Sequence, residues 1–368
     1  MLVTDAFGGR GGIAKFNRDL LSALCSNEKC LEIVAVPRLI MDDPGILPEK
    51  LTFAVEAAGS KIKYIHTVLK ILIGSPGFDL IISGHINLLP VAFLAKAFFR
   101  VPITLTIHGI EAWQATRSLF GNYLAPRVDN YISVSELTRK RFVAWTGINS
   151  EKGYILPNSV NLKKFTPGPK QEKLIAKYKL AGKKVLMTFG RMDSRERAKG
   201  FDEVLEIMPE LLKERKNATY LIAGDGPDRE RLEKKVLDMG LGKHVVFSGF
   251  VSEEEKVDLY RLADVYVMPS SGEGFGIVFL EAMACGIPVI ASRKDGGYEA
   301  VQQGALGEVV DPENSQELLE ATIRNLNKND RIIKRGLEFF SAERYEERVH
   351  AWIKGLSNAE YVTRKEGT

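Results

Sequence analysis

The sequence predicts an α/β protein of two domains, each a doubly wound parallel sheet with helices on both faces. Three observations carry that prediction. Short runs rich in aliphatic and β-branched residues alternate with helix-periodic runs over residues 1–156, and the same alternation restarts at Lys184. Between the two series, Pro157-Asn-Ser-Val-Asn161 and Phe165-Thr-Pro-Gly-Pro169 are rich in breakers, as a linker would be. A length of 368 residues suits two domains of ordinary size. The expected limits are 1–160 for the first domain and 161–343 for the second, followed by a last helix within 344–368 that carries Trp352.

In chain order, Leu2–Thr4 reads as a strand running into Gly8-Gly-Arg-Gly-Gly12, and Ile13–Leu24 as the helix that this loop opens. Strand Ile33–Val36, helix Lys61–Ile73, strand Leu80–Ser83, helix Leu88–Phe99 and strand Ile103–Ile107 follow. Strand Tyr131–Val134 leads to Ser135, placed to cap helix Glu136–Trp145, and Tyr154–Leu156 closes the first series. The second series has strands Val185–Phe189, Tyr220–Ala223, Val245–Phe247, Val265–Met268, Val289–Ala291 and Val309–Val310. Its helices are Gly200–Leu212, Asp228–Met239, Glu253–Ala263, Ile277–Cys285, Gln316–Leu326 and Arg331–Phe340, and Arg344–Leu356 is the last.

Composition narrows the function classes. Hydrophobic residues at 45% and charged residues at 27% fit a soluble globular chain. The most apolar stretch, Leu88–Ile107, is broken by Lys96, Arg100 and Pro102, so it does not read as a membrane span. Met1–Asp5 runs directly into the first strand and reads as no secretory leader. Three cysteines cannot all pair, and Cys25, Cys30 and Cys285 match no zinc spacing, so reduced thiols and a cytoplasmic setting are expected. Residues 1–155 hold 17 Lys+Arg against 13 Asp+Glu, so the formal charge of +4 resides wholly there. That excess is too diffuse for nucleic acid. It suits an anionic acceptor or the inner face of a membrane, and the basic, apolar run Lys61–Ile73 offers such a surface; an ordinary helix packed on the sheet reads equally well.

Ligands of open parallel sheets bind beyond the carboxyl ends of the strands. The residues there are Gly8–Gly12, His85, His108–Glu111, Ser135, Arg191, Gly224–Gly226, Phe250 and Ser270–Gly276. Ser270-Ser-Gly-Glu-Gly-Phe-Gly276 is a glycine loop that opens a helix, and helix N-termini attract anions. Arg191 and Lys199 could converge on a diphosphate, or could form a solvated basic patch with Arg195 and Arg197. Glu281, among Phe279, Leu280, Ala282 and Met283, needs a polar partner: ribose hydroxyls, or a nearby base. Glu273 faces the sugar and phosphates, or solvent. His108 could donate to a sugar hydroxyl or be structural, and a structural role is the stronger reading for His85. The glycines at 8–12 do not follow the spacing of a nicotinamide-binding loop, and Pro37-Arg38 closes the next strand where an acidic residue is needed. Two carboxylates also invite a glycosidase reading, but the basic residues suit a diphosphate better. No Asp-x-Asp pair follows a strand to hold a metal.

Taken together, Gly190-Arg191, Lys199-Gly200, Ala223-Gly-Asp-Gly-Pro227, Pro157–Asn161, Glu273-x7-Glu281 and Ala284-Cys-Gly-Ile-Pro-Val289 resemble the family 4 glycosyltransferases. The resemblance covers nearly the whole chain. It implies the GT-B fold, two Rossmann-like domains facing a cleft, and retaining, metal-independent transfer from a nucleoside-diphosphate sugar. The implied donor is UDP-linked, with UDP-glucose first, and no separate cofactor is needed. It implies that Arg191 and Lys199 bind the diphosphate and that Glu281 binds ribose. Glu273 and the amides of Gly274, Phe275, Gly276 and Ile277 would hold sugar and phosphate. His108 would lie near the sugar, Gly9, Gly11 and Gly12 near the phosphates, and Gly224, Phe250 and Val251 would complete the donor pocket. It also implies that the last helix crosses back to the first domain. Ser159 stands where the family often has Gly, and Arg195-Glu-Arg197 lengthens the loop before Lys199. The implied partners are the donor and a glycan or lipid-linked acceptor of polysaccharide synthesis. A sugar-nucleotide epimerase or hydrolase, and a non-catalytic sugar-nucleotide-binding subunit, are the alternatives.

Overall fold

A computed structural model describes residues 1–193, 198–328 and 331–366. Arg195 and Arg197 lie outside the described residues. The chain divides into two units, residues 1–159 with 342–368, and residues 160–341.

The first unit carries strands β1 (Leu2–Val3), β2 (Ile33–Pro37), β3 (Leu51–Phe53), β4 (Ile81–Ser83), β5 (Ile103–Ile107), β6 (Asn130–Ser133) and β7 (Gly153–Ile155). They pair in parallel in the order β3-β2-β1-β4-β5-β6-β7. Its helices before the linker are α1 (Gly12–Ser26), α2 (Lys61–Gly74), α3 (Leu89–Phe99), α4 (Leu119–Leu124) and α5 (Glu136–Thr146). The local signals act as their chemistry requires. Ser60 caps α2 by accepting from the Lys63 amide, and Ser135 caps α5 by accepting from Thr138. Gly147, with φ 68°, ends α5 in the left-handed conformation.

The second unit opens with α6 (Glu172–Lys177) and strand β8 (Lys184–Phe189). Then α7 (Phe201–Glu214), β9 (Ala218–Ala223), α8 (Arg229–Asp238), β10 (Val245–Phe247), α9 (Lys256–Leu262) and β11 (Val265–Met268) follow. Helix α10 (Ile277–Ala284), β12 (Val289–Ser292), α11 (Gly297–Ala300), β13 (Glu308–Val310) and α12 (Ser315–Leu326) complete it. The sheet order is β10-β9-β8-β11-β12-β13, again parallel. Strands β9 and β11 are buried along their whole length, as a sheet covered on both faces demands.

Both sheets are doubly wound, and the strand order reverses beside β1 in the first and beside β8 in the second. That switch point is where the ends of strands leave a crevice for a ligand. The glycine loop at 8–12 follows β1, Gly190-Arg191 follows β8, and the Glu273 loop follows β11.

The last helix, α13 (Ala342–Glu366), belongs to the first unit. Tyr345, Val349 and Trp352 are buried. Tyr345 meets Phe16 of α1 edge to face at 6.2 Å, and Tyr154 Oη donates to the Arg348 carbonyl at 3.1 Å.

Two sequence expectations are corrected. Residues 331–340 are not a helix; only Leu337–Phe340 forms a 3-10 turn. The Arg331 guanidinium donates to the carbonyls of Arg261, Ala263 and Gly168, which ties this segment across the unit, and Gly336 at φ 102° breaks any helix there. Strand β3 was not anticipated, because its three residues follow the breaker-rich stretch Asp42-Asp-Pro-Gly45 and Pro48, which reads as loop.

Candidate donor site

Lys199 and Glu273, 74 positions apart in sequence, are brought together: Nζ donates to Oε2 at 2.9 Å, with both side chains largely buried. The backbone of Glu273 is held as well. Its amide donates to Asp295 Oδ2 at 2.9 Å, and its carbonyl accepts from the Gly296 amide at 2.8 Å. Helix α10 begins directly after the loop, and its N-cap, Gly276, has no side chain to cap the first turn. Gly276 at φ 92° makes that entry, and a Cβ there would stand 2.4 Å from the Phe279 ring. Phe275 and Ile277 turn their side chains into the protein, with Phe275 against Phe340 at 5.6 Å, so only their backbones are available to a ligand.

Arg191 is 65% exposed, with Nη2 3.5 Å from Asp193 Oδ2, so its guanidinium can swing toward an anion. Gly224 is knitted into the strand ends, its amide donating to Gly249 at 3.2 Å. Phe250 is exposed and Val251 half-buried just beyond β10.

Glu281 is not open. It is 1% exposed, Oε1 accepts from Lys256 Nζ at 2.9 Å, and Oε2 accepts from Tyr260 Oη at 2.8 Å. Burial works against the Lys256 charge, but Glu281 and Glu253 outweigh it and hold the ammonium above its ordinary range. Burial, then the Glu281 charge, drives the Tyr260 phenol well above its usual value. Both Glu281 carboxylate oxygens thus already have a donor, and a ribose hydroxyl would have to share or displace one of them. Lys256 and Tyr260 escaped the sequence reading. Their signal was an i, i+4 pair of polar-tipped residues on a helix whose other inward positions, Leu259 and Leu262, are apolar.

In the first unit, Gly11 precedes α1 with no side-chain cap, and Gly11 and Gly12 are exposed while Gly9 is half-buried. Arg18 supports the loop from below by donating to the carbonyls of Ala6 and Gly9. His108 Nε2 lies 3.2 Å from the Gly84 carbonyl, which can only accept, so Nε2 carries the proton and Nδ1 is left as an acceptor. Burial lowers its pKa to about 4, so the ring is neutral. His108 is thus suited to accept from a hydroxyl, not to donate to one. Glu111 accepts from the amides of His108 and Gly109 and so shapes this turn, and His85 Nδ1 accepts from the Asn87 amide. Among the described residues, no group of three or more His, Cys, Asp and Glu gathers in a way that could hold a metal ion.

The family profile described as Glycosyltransferase Family 4 matches residues 11–164, and that described as Glycosyl transferases group 1 matches residues 170–338. A phosphatidyl-myo-inositol mannosyltransferase of Mycobacterium leprae is 31% identical over 281 residues, covering 74% of this chain and 72% of that protein. A GDP-mannose-dependent alpha-(1-6)-phosphatidylinositol monomannoside mannosyltransferase of Mycobacterium tuberculosis is 35% identical over 211 residues. That match covers 55% of this chain and 54% of the relative, so the chain spans about half the length of this relative and of its counterparts at similar identity. The Anabaena protein HepE, crystallised with UDP-glucose, shares the fold with a TM-score of 0.77 at 19% identity, over 96% of this chain and 99% of that one. Sucrose-phosphate synthase from Thermosynechococcus elongatus has a TM-score of 0.70 at 23% identity, over 99% and 98%. With two profiles spanning nearly the whole chain and a relative matched over most of its length, the protein belongs to the family 4 glycosyltransferases and has the GT-B fold.

Proposed function

We propose that the protein is a retaining, metal-independent hexosyltransferase that moves mannose from GDP-mannose to a lipid acceptor at a membrane surface. The observation that carries this reading is the group formed by Lys199, Glu273 and the uncapped start of α10, with Arg191 free to swing in. A diphosphate would meet two cations and the amides of a helix start, and the sugar would meet a carboxylate. Developing charge on the departing phosphate is met by groups already in place, which lowers the barrier. The bond from the anomeric carbon to the β-phosphate oxygen breaks, and the acceptor oxygen bonds to that carbon on the same face. The acceptor's proton passes to the departing phosphate oxygen, so no protein nucleophile is used.

Sequence reading placed UDP-glucose first. Among the relatives at 31–36% identity, the mycobacterial ones are named for mannosyl transfer, several of them for GDP-mannose, whereas the UDP-glucose complex shares 19%. GDP-mannose therefore takes first place, and UDP-glucose is the competing arm. For the acceptor, the same names point to an inositol phospholipid. The first unit adds support. The outer face of α2 exposes Ile62 (82%) and Ile73 (77%) with Lys61, Lys63 and Lys70, and Leu119 and Phe120 of α4 are also exposed. Apolar side chains among lysines suit an anionic lipid surface. Among the described residues no helix is long and apolar enough to cross a membrane, so contact would be peripheral.

The test is mannosyl transfer from GDP-mannose to phosphatidylinositol in vesicles, with EDTA present and the product read by NMR. An α-linked product, with UDP-glucose at least tenfold poorer as donor, is expected. A β-linked product would sink the retaining mechanism. Complete loss restored by a metal would sink metal independence, and preference for UDP-glucose would reinstate the first donor.

A further inference from the structure

We propose that Asp295 is a positioning residue of the donor site, holding the Glu273 loop in the one conformation that aligns the Glu273 carboxylate with the first amides of α10. The inference rests on the donor-site reading above. It is carried by three hydrogen bonds between two short segments and a fourth within the second of them. Asp295 Oδ2 accepts from Ser270 Oγ at 2.6 Å and from the Glu273 amide at 2.9 Å, and Oδ1 accepts from the Gly297 amide at 3.0 Å. In return, the Gly296 amide donates to the Glu273 carbonyl. Both backbone polar groups of Glu273 are therefore fixed by residues 295 and 296, while Lys199 fixes its side chain. The loop lies directly against this segment: a Cβ on Gly296 would stand 2.1 Å from the Gly274 carbonyl oxygen. The two backbones touch at a distance only glycine permits.

A carboxylate is an expensive way to hold a loop. Asp295 is 2% exposed, and burial pushes its carboxyl up to about 7, against the opposing pull of the Ser270 hydroxyl and the Glu273 amide. An apolar residue would fill the space at less cost, but it could not accept from three donors at once. The three donors come from the end of β11, the middle of the loop and the start of α11. One side chain thus sets where the loop leaves the sheet, where Glu273 stands and where the next helix begins.

The experiment compares wild type, D295A and D295N on the full chain by two readouts. The first is hydrogen exchange, by mass spectrometry, of the amides in 271–279 against those of α7. The second is calorimetry with GDP-mannose and UDP-glucose. D295A should raise exchange in 271–279 at least tenfold, leave α7 unchanged, and weaken binding of the preferred donor at least tenfold. D295N should recover part of both, because its amide oxygen can still accept from Ser270 and Glu273. Unchanged exchange in D295A overturns the proposal whether or not a sugar nucleotide binds. Faster exchange with unaltered donor affinity overturns it too, since Asp295 would then be structural only. Faster exchange in a protein whose wild type binds neither sugar nucleotide leaves the loop-holding role standing and removes the donor reading instead.

Discussion

At position 281 a carboxylate is buried with an ammonium and a phenol on its two oxygens. Removing one partner of a buried ion pair strands the other in a medium that solvates it poorly, which typically costs about 3–5 kcal/mol. Glu281→Ala should therefore lower the unfolding free energy by that order, with Glu281→Gln losing less because it still accepts from Tyr260. Guanidinium titrations of the three proteins check this; equal midpoints would show that Lys256 finds water or another partner. The same pair explains the limit of reading this site from sequence. The seven-residue gap between Glu273 and Glu281 was legible, because both lie on one loop-and-helix segment. What occupies Glu281 was not, since Lys256 and Tyr260 arrive on a different helix and only tertiary packing pairs them. Asp295 was invisible for the same reason: the Ser270 hydroxyl and Glu273 amide that it accepts from lie 25 and 22 positions away in the chain.

Among the elements, α10 is the one whose start matters most. It has eight residues, an apolar body and no side-chain cap, so its position depends on packing and on the Gly276 turn. Gly276→Ala would place a methyl 2.4 Å from Phe279 in a left-handed backbone conformation that alone costs a non-glycine residue about 1–2 kcal/mol. The expected outcome is a melting temperature several degrees lower and donor binding weakened at least tenfold by calorimetry. Retained affinity in a destabilised protein would mean that the helix start does not hold the phosphates. Most strands and long helices were legible because apolar period and caps agree, as at Ser135 before α5. Where they were not, a specific tertiary tie intervened. Residues 331–340 have a helix-compatible composition, yet the three carbonyl bonds of Arg331 hold them out of a helix.

On the scale of the molecule, the first unit offers an optical probe of its own. Trp113, Trp145 and Trp352 all lie in the first unit, so tryptophan emission follows that unit alone, while far-ultraviolet circular dichroism follows both. The residues assigned to the diphosphate and ribose, Arg191, Lys199, Glu273 and Glu281, lie in the second unit. A ligand that binds only the native state raises the stability of the unit that holds it. Saturating GDP-mannose should thus raise the dichroism midpoint of the second unit's transition by several degrees and shift the emission midpoint less. An equal shift of both would mean that the two units unfold as one.

Helix α13 gives the first unit a dependence on time. Phe16 and the β7 residue Tyr154 belong to the first half of the chain, but the Tyr345 ring and Arg348 carbonyl that they meet lie beyond residue 341. During synthesis, a nascent chain that has released residues 1–159 has an α1 face still waiting for its cover. All of 160–341 must emerge before that cover exists, a delay of roughly 10–40 s at translation rates of about 5–20 residues per second. The second unit, contiguous in sequence, can fold in that interval. The earliest-made half of this protein is therefore the last to be finished, and its apolar α1 surface is where a chaperone would find a client.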